Sequence, residues 1–251
     1  PWSPPAPVVE EGDQDELVRR VAAVASRTVV VVNAGGPVVM PWLADVDAVV
    51  LASFAGIETG PAVAAVLAGD ADPGGRLPVT YPKQLVDTPA WPHYRPVDAA
   101  QTYGEGRLMG YRGYLAADVE PLLPFGHGLS YGTSVWGPAA LSADTVPAGH
   151  PVTVTVPVTN TGDRAATDVV QVYVTHPHPD MAPRVLAGFA KAVTAPGQTA
   201  VVEITLGDVA WRRWDTAASA WVIDPGRRDV VIARSATDVV ERLSVQVGPS
   251  A

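Results

Sequence analysis

The sequence predicts an α/β fold, a partial parallel sheet with flanking helices, followed by an all-β sandwich. In the first hundred residues, β-branched runs such as residues 28–33 show no polar alternation and are separated by helix-like patterns, which is typical of parallel sheets. From residue 153 onward, apolar and polar residues alternate with period two between turns rich in Pro, Gly, Asn and Asp, which indicates antiparallel strands. A stretch rich in glycine and aromatic residues, 103–131, separates the two patterns.

Composition places the chain among globular proteins. Of its 251 residues, 47% are hydrophobic and 17% are charged, which is too apolar for an intrinsically disordered chain. The formal net charge of −9 repels phosphate backbones, so we expect no nucleic-acid partner. No apolar run reaches the roughly 18 to 20 residues that a membrane-spanning helix needs, and we expect no membrane partner. The lack of cysteine excludes disulfides and thiolate metal sites.

Residues 1–12 are predicted to be a linker or a remnant of an upstream region. Proline is too frequent in residues 1–9 for a helix. Asp13 stands where a helix N-cap is expected, and a helix follows from about residue 15 to residue 25. Its apolar residues keep helical spacing: Leu17, Val18, Val21 and Val24.

The next segments predict two strands of a parallel sheet. Residues 28–33 are β-branched and are expected to be covered on both faces, and residues 48–52 predict another buried strand. Residues 34–37 form a tight turn at the carboxyl end of the first strand. In open α/β sheets this is the end where ligands bind.

A second helix is predicted from about residue 56, and Gly69 ends it because glycine is favoured just after a helix C-terminus. A short edge-like strand follows the turn at residues 70–76. Pro78 and Pro82 bound this strand and prevent full ladder pairing.

Residues 103–131 are predicted to connect the two parts. Glycines and prolines among aromatic residues argue against an ordinary helix or strand, because glycine relaxes backbone limits and proline removes donors. The predicted divisions are therefore 13–102 for the α/β part, 103–137 for the connector and 138–251 for the sandwich.

The sandwich is predicted from short strands at regular spacing without intervening helices. Strands are expected at residues 153–160, 168–174, 185–189, 200–206, 220–223, 229–233 and 242–247. Turns are expected at residues 161–163, 195–198 and 224–227.

Eight motifs stand in order along the chain. The first half contains GDQDELV at 12–18, VVVNAGGPV at 30–38, AGDADPGGRLPVTYP at 68–82, YGEG followed by GYRGY within 103–114, and PFGHGLSY at 124–131. The second half contains VTNTGD at 158–163, VVQVYV at 169–174 and LAGFAK at 186–191. Together they resemble the C-terminal portion of glycoside hydrolase family 3, the β-glucosidase and β-xylosidase family.

The resemblance implies an exo-acting retaining β-glycosidase that hydrolyses O-glycosidic bonds. It implies three parts, namely an N-terminal barrel, an α/β sandwich domain at residues 13–102 and a fibronectin type III-like domain at residues 138–251. The aspartate nucleophile of the family sits on the barrel, which these residues do not include. The implied partners are a β-linked glycoside substrate and the missing N-terminal barrel domain, with no cofactor. We therefore expect the chain to be inactive alone.

The resemblance also bears on the second catalytic carboxyl group. Retaining hydrolysis needs two carboxyl groups about 5 to 5.5 Å apart, and the acid/base glutamate of the family usually lies shortly upstream of the segment that resembles residues 12–18. Glu11, with Glu10 beside it, is the candidate in this chain, because Glu11-Gly12 looks like the Glu-Gly of some members. The alternative alignment takes residues 12–14 as the lead into the helix, which keeps helix and strand in register and places the acid/base before Pro1.

Two residues of the connector have both a functional and a structural interpretation. Glu105 is either a carboxylate near the sugar or a buried partner of Arg107 or Arg112, and the ion pair is favoured because buried carboxylates persist mainly when paired. His127 lies between two glycines. For His127 a structural role is favoured, with the imidazole hydrogen-bonded to a main-chain group.

Loop residues provide the remaining candidates. Residues 33–36 either line a sugar pocket or only make the turn, and both interpretations stay open. Packing is favoured over sugar stacking for the aromatic residues beside the Pro-rich loops, Trp91, Tyr94 and Tyr103. The nearest histidine pair, His176 and His178, lies in a His-Pro-His-Pro loop, and no metal site is predicted there.

Two hypotheses of function follow. The chain begins at Pro1 and shows no signal peptide, so we expect a processed or truncated piece whose localisation cannot be inferred. The first hypothesis is the C-terminal portion of a β-glycosidase, in which the α/β part closes one wall of the sugar pocket. The alternative is a non-catalytic scaffold or carbohydrate-binding protein of the same fold. The reading frame upstream of Pro1 discriminates between them.

Overall fold

The computed structural model describes residues 13–94 and 100–249. The predicted linker at residues 1–12 lies outside this range. The first part contains α1, Gln14–Val24, β1, Val29–Val32, β2, Ala48–Leu51, and α2, Thr59–Ala68. Strands β1 and β2 pair in parallel, with Val29 opposite Ala48. The α/β character predicted for this part is confirmed.

Helix α1 begins where the sequence predicts but is capped differently. Asp13 makes no hydrogen bond through its side chain, and its backbone carbonyl accepts from the Leu17 N–H at 2.8 Å. The helix is joined to the loop after β1 because the Trp42 indole N–H donates to the Asp15 carboxylate at 2.7 Å. Helix α2 ends as predicted at Gly69, which adopts a left-handed conformation with φ of 80°.

The core of the first part lies on one face of the two-stranded sheet. Met40, Trp42 and Tyr81 are buried there against Val30 and Val32 of β1. Residues alternate between faces along a strand, so Val29 and Val31 point to the other face and are 48% and 39% exposed. The prediction that this strand is covered on both faces is therefore wrong for the described residues, since none of their elements covers the second face.

The edge-like strand predicted between Pro78 and Pro82 is reduced to a single bridge. Tyr81 pairs with Leu123, and its N–H donates to the Leu123 carbonyl at 2.9 Å. The segment also binds the connector further along, where the Leu77 N–H donates to the His127 carbonyl at 2.8 Å. The prolines on either side limit the ladder, as expected.

The connector contains a helix, contrary to prediction. Helix α3 spans Tyr111–Ala117 and includes Gly113. A Cβ on Gly113 would overlap the Leu108 carbonyl and the Pro89 ring. Glycine is therefore required here for close packing of the helix, not for a turn.

The second part is a sandwich of two sheets. One sheet has the order β5-β13-β12-β7-β8, and in the other β6 pairs with β9 on one side and with β3 and β4 on the other. A separate hairpin pairs β10 with β11. The strands are β3, Ser134–Trp136; β4, Ala140–Leu141; β5, Thr145–Val146; β6, Val152–Asn160; β7, Ala166–Val174; β8, Val185–Thr194; β9, Thr199–Leu206; β10, Arg213–Asp215; β11, Ala220–Val222; β12, Gly226–Ala233; and β13, Val239–Val247.

The space between the two sheets holds the main core. Every second residue of β6 is buried, as period two requires, and these valines meet Val170 and Val172 of β7. The Trp136 indole N–H, at the rim of this core, donates to the Asp168 carboxylate at 3.0 Å. The predicted all-β sandwich is confirmed.

The connector forms a third layer on the five-stranded sheet. Tyr111 of α3 stacks on Phe125 with ring centroids 4.7 Å apart and meets Tyr173 of β7 edge-on at 5.8 Å. Its hydroxyl accepts from the Leu186 N–H of β8 at 2.8 Å. Strand β7 is therefore buried on both faces, which explains its nearly continuous apolar sequence. Among the helices in the described ranges, none is long and apolar enough to cross a membrane.

Candidate substrate-facing site

The carboxyl ends of β1 and β2 lie side by side at one edge of the sheet. The Ala52 N–H donates to the Val32 carbonyl at 2.9 Å, so the two loops leave the sheet together. Phe54 lies against Gly35, where a Cβ would overlap its ring. Ser53 has a φ of 47°, which is uncommon for a residue with a side chain. The edge therefore has a fixed and unusual backbone shape.

This edge exposes apolar side chains. Phe54 is 84% exposed and Ile57 is 97% exposed, and Asn33 beside them is exposed as well. Large apolar residues that cluster at an exposed sheet edge are typical of a surface that contacts another molecule or domain. For residues 33–36, formation of the turn explains Gly35. For Asn33, both interpretations, turn formation and lining of a sugar pocket, stay open.

A cavity of about 320 Å³ lies in the connector. Its polar groups come from Asp87, Glu105 and Tyr114. The rest of its wall is apolar or glycine backbone: Pro89, Gly104, Leu108, Gly113, Ala116, Ala117 and Val119. An apolar wall with a few convergent polar groups is the usual composition of a small-molecule site.

Glu105 faces this cavity rather than the arginines predicted to pair with it. Among the ion pairs of the described residues, none joins Glu105 to Arg107 or Arg112. The Arg107 guanidinium instead donates to the Trp214 carbonyl at 2.7 Å, and Arg112 reaches only the Arg107 carbonyl at 3.5 Å. The ion pair predicted for Glu105 is therefore wrong.

Tyr114 and Asp87 make the cavity electrostatically distinctive. Tyr114 is 4% exposed, and its hydroxyl has no hydrogen-bond partner within residues 13–94 and 100–249. Burial, followed by the nearby Asp87 charge, raises the pKa of Tyr114 to about 12, so the phenol stays protonated. Asp87 itself accepts from the Gln84 N–H at 3.0 Å. The cavity thus offers the carboxylates of Asp87 and Glu105 as acceptors to a ligand with several hydroxyl groups, whereas the Tyr114 hydroxyl is buried behind the wall.

His127 is held by its backbone. Its N–H donates to the Pro124 carbonyl at 3.1 Å and its carbonyl accepts from Leu77. Burial, then the Arg76 charge, lowers the pKa of His127, so the ring is neutral at pH 7. Among the hydrogen bonds of the described residues, none joins the His127 imidazole to a main-chain group, so that predicted bond is not found. The structural interpretation of His127 rests instead on the two hydrogen bonds of its backbone.

The other sequence candidates do not converge on one site. Tyr103 is 77% exposed and Tyr94 is 52% exposed, so packing, which the sequence favoured, does not account for them. Within the described ranges, no cluster of three or more His, Asp or Glu side chains could hold a metal ion. Glu11 and Glu10 lie outside the described residues.

Sequence reasoning missed Asp87 and Tyr114. Tyr114 is the last residue of the GYRGY motif. The sequence marks it only as an aromatic residue with a polar hydroxyl beside glycines. Asp87 ends a short 3₁₀ helix, Leu85–Asp87, that carries no motif, so its place beside Tyr114 follows only from the fold.

Two family models match the chain. The model described as glycosyl hydrolase family 3 C-terminal domain matches residues 8–131, and the model described as fibronectin type III-like domain matches residues 168–236.

Named relatives match most of the chain. A β-glucosidase of Rhizobium radiobacter is 41% identical over 94% of this chain, and a probable β-glucosidase I of Aspergillus terreus is 39% identical over 90%. The chain spans only 30% and 28% of their lengths.

Solved structures match both parts at once. The β-glucosidase DesR of Streptomyces venezuelae, solved in complex with D-glucose, has a TM-score of 0.88 and 33% identity over 94% of this chain and 31% of its own. β-Glucosidase 3B of Thermotoga neapolitana, solved in complex with α-D-glucose, has a TM-score of 0.85 and 30% identity over 94% of this chain and 34% of its own.

Proposed function

The chain belongs to glycoside hydrolase family 3, and from this premise we propose that it forms the C-terminal portion of an exo-acting retaining β-glycosidase with β-glucosides as substrates. The observation that carries the proposal is the joint match of both parts, over 94% of the chain, to solved β-glucosidases. Because the chain spans about 30% of the length of the relatives, the rest of the catalytic machinery is proposed to lie in an N-terminal barrel domain.

The proposed task of this portion is to supply one wall of the sugar pocket. A retaining mechanism needs a nucleophile and an acid/base on either side of the glycosidic bond. In the proposal the barrel provides the nucleophile and packs on the exposed edge that carries Phe54 and Ile57. The carboxylates of Glu105 and Asp87 accept hydrogen bonds from sugar hydroxyls, because both face a cavity with apolar walls.

The test is a chimera. The matching segment of the Rhizobium radiobacter enzyme is replaced by these 251 residues, and hydrolysis of an aryl β-glucoside is measured. We expect turnover by the chimera and none by the 251 residues alone or by the relative without its segment. A folded chimera without turnover, or robust turnover by the 251 residues alone, would contradict the proposal.

Two substitutions in the chimera test the residues. Glu105→Gln is expected to lower kcat/KM by about tenfold, which is the loss of about 1.4 kcal/mol of binding, whereas the exposed Glu203→Gln of β9 has no effect. Glu11 is our acid/base candidate within the chain, and Glu11→Gln then lowers kcat by about 10²–10⁴. An unchanged kcat in Glu11→Gln would place the acid/base upstream of Pro1.

A further inference from the structure

The hairpin of β10 and β11 carries two exposed tryptophans. Trp214 and Trp221 are directly opposite each other in the antiparallel pair. Their ring centroids lie 5.5 Å apart with the planes at 75°, so one indole meets the other edge-on. The rings nevertheless remain 41% and 58% exposed. We name this surface, made by Trp214 and Trp221, the indole platform.

Ion pairs on the face opposite the indole platform hold the hairpin together. Along a strand, neighbouring side chains point to opposite faces, so Arg213 and Asp215 lie on the face away from Trp214. The Arg213 guanidinium binds both oxygens of Asp224 at 2.7 and 3.0 Å and Asp215 at 2.9 Å. The Asp215 carboxylate also accepts from the Ala217 and Ala218 N–H groups of the turn.

The hairpin is also fixed to the loop that holds the cavity. Arg107 donates to the Trp214 carbonyl at 2.7 Å and contacts the Met181 sulfur at 3.3 Å. Glu105, two residues earlier, lines the cavity. The indole platform and the cavity are therefore held by the same short loop, and neither can move far without the other.

We propose that the indole platform binds β-linked gluco-oligosaccharides by stacking on the apolar face of a pyranose ring. Stacking is favoured because pyranose C–H groups carry partial positive charge and the indole face is electron-rich. The Arg212 guanidinium lies 4.7 Å from the Trp221 ring centroid and donates to the Asp208 carboxylate at 2.9 Å, so it covers one face of Trp221 and leaves the exposed remainder of the two rings for the sugar. The choice of β-glucosides rests on the proposed function, whereas stacking rests on the hairpin alone.

The chemistry of the surroundings favours a neutral sugar over other occupants. The net charge of the whole chain, −9, disfavours anionic ligands such as phosphorylated chains, and the two arginines of the hairpin are already paired, Arg212 with Asp208 and Arg213 with Asp215 and Asp224. A platform that is held in place before binding loses little conformational entropy when the ligand arrives. The hydrogen bond from Arg107 to the Trp214 carbonyl attaches the hairpin to the loop that carries Glu105, which suits a ligand with more than one sugar unit.

The experiment is a titration of the 251-residue chain with cellopentaose, followed by calorimetry and by intrinsic tryptophan fluorescence. We expect binding with a change in tryptophan emission. Trp214→Leu and Trp221→Leu each weaken binding by about tenfold, whereas Trp214→Tyr, which keeps an aromatic face, stays within about threefold. The matched control is Phe189→Leu, which removes an aromatic ring of β8 that is 66% exposed and leaves affinity unchanged.

The outcomes separate this proposal from the proposed function. Absence of binding at millimolar cellopentaose, or equal affinity of the double leucine variant and the parent chain at equal thermal stability, would overturn the platform. A dimer that the leucine variants abolish while sugar binding persists would assign the platform to self-association instead. Binding needs no catalysis, so an inactive chimera leaves the platform standing.

Discussion

At the scale of single residues, Gln171 joins two parts of the chain. Its amide N–H₂ donates to the Gly126 carbonyl at 2.9 Å and to the Arg234 carbonyl at 2.6 Å, and its amide oxygen accepts from the Tyr173 hydroxyl at 2.7 Å. Gln171 is 3% exposed, so each of these bonds takes the place of a hydrogen bond to water that is lost on folding. Gly126 adopts a φ of +82°, and a Cβ there would overlap the Gln171 amide.

Gly126→Ala is therefore expected to destabilise the protein by two mechanisms. The left-handed backbone costs about 1 kcal/mol for a residue with a Cβ. Displacement of the Gln171 amide leaves buried groups without partners and adds about 1–3 kcal/mol. Urea unfolding measures the sum. The matched control is Gly149→Ala, because Gly149 has a φ of +81° and open space where a Cβ would lie. An equal loss of unfolding free energy in both variants would show that the Gln171 amide is not displaced.

Asp72 links the α/β part to the connector. It accepts from the Ser130 hydroxyl at 2.9 Å and from the Tyr131 N–H at 2.7 Å. Burial by itself raises the pKa of Asp72, but the nearby Thr167 hydroxyl, the hydrogen bonds from Tyr131 and Ser130 and the Arg76 charge outweigh it, so the pKa lies below its usual value. The ionised carboxylate is the form that holds the junction.

The stability that Asp72 contributes should depend on pH. A folded-state pKa below the unfolded value of about 3.9 gives stability that is present above pH 4 and is lost as pH falls through the folded-state pKa. Asp72→Asn is expected to cost about 1 kcal/mol at pH 7, a modest figure because the carboxylate is partly open to solvent. Unfolding measured from pH 7 to pH 2.5 should show the parent and the variant converging. Asp70→Asn, an exposed neighbour, is the control, and a pH-independent difference at Asp72 would refute this account.

The residues of the candidate site were harder to predict than the residues of the core. The sequence predicts that Glu105 pairs with Arg107 or Arg112, because buried carboxylates persist mainly when paired, yet Arg107 binds the backbone of Trp214, which is 107 positions further along. Proximity in sequence cannot reveal such a partner. Tyr114 and Asp87 face one cavity only because α3 folds back over Pro89.

At the scale of elements, the hairpin of β10 and β11 depends on one arginine. Arg213 joins Asp215 on β10 to Asp224 just after β11, and its side chain is only 10% exposed. Because the hairpin has three residue pairs, it has few other bonds, and isolated two-stranded hairpins are marginal in water.

Arg213→Met should therefore loosen the hairpin without unfolding the sandwich. Backbone amide exchange at residues 213–222 is expected to rise by about tenfold or more, with little change in β6 and β7, because local opening requires less free energy than global unfolding. The control is Arg227→Met, since Arg227 is 74% exposed and lies 3.9 Å from Asp229. Equal exchange in both variants would show that the ion pairs do not hold the hairpin.

Periodicity predicted the long elements well. Strands β6 and β9 begin within one residue of the predicted positions because period two and the turns around them are unambiguous. The short strands β3, β4, β5 and β10 were missed, since two or three residues carry no periodic signal. The sequence does not predict helix α3, because glycines and prolines in the connector argue against a helix, whereas Gly113 lies inside one.

At the scale of the whole molecule, the connector packs on the sandwich as a covering layer. Tyr173, Val231, Ala233 and Ala236 form a second buried cluster on the outer face of the five-stranded sheet, and Tyr111 and Phe125 of the connector cover it. The VVQVYV motif of β7 had no polar alternation, a pattern of strands buried on both faces. That signal was available in the sequence, but the covering layer was not, because it comes from residues more than 40 positions away.

Residues 138–251 should therefore be a poor folding unit compared with residues 103–251. The shorter chain lacks Tyr111 and Phe125, so it exposes the cluster around Tyr173, and it lacks the Gly126 carbonyl that accepts from Gln171. It also lacks β3, which pairs with β6 and carries Trp136 of the main core. Loss of the Gly126 carbonyl alone costs about 1–3 kcal/mol, and the uncovered apolar side chains add to it. We expect a melting temperature lower by about 5 °C or more and binding of a dye for exposed apolar surface by the shorter chain only. Equal melting temperatures and no dye binding would mean that the sandwich closes without the connector, and the predicted boundary at residue 138 would then mark a true domain.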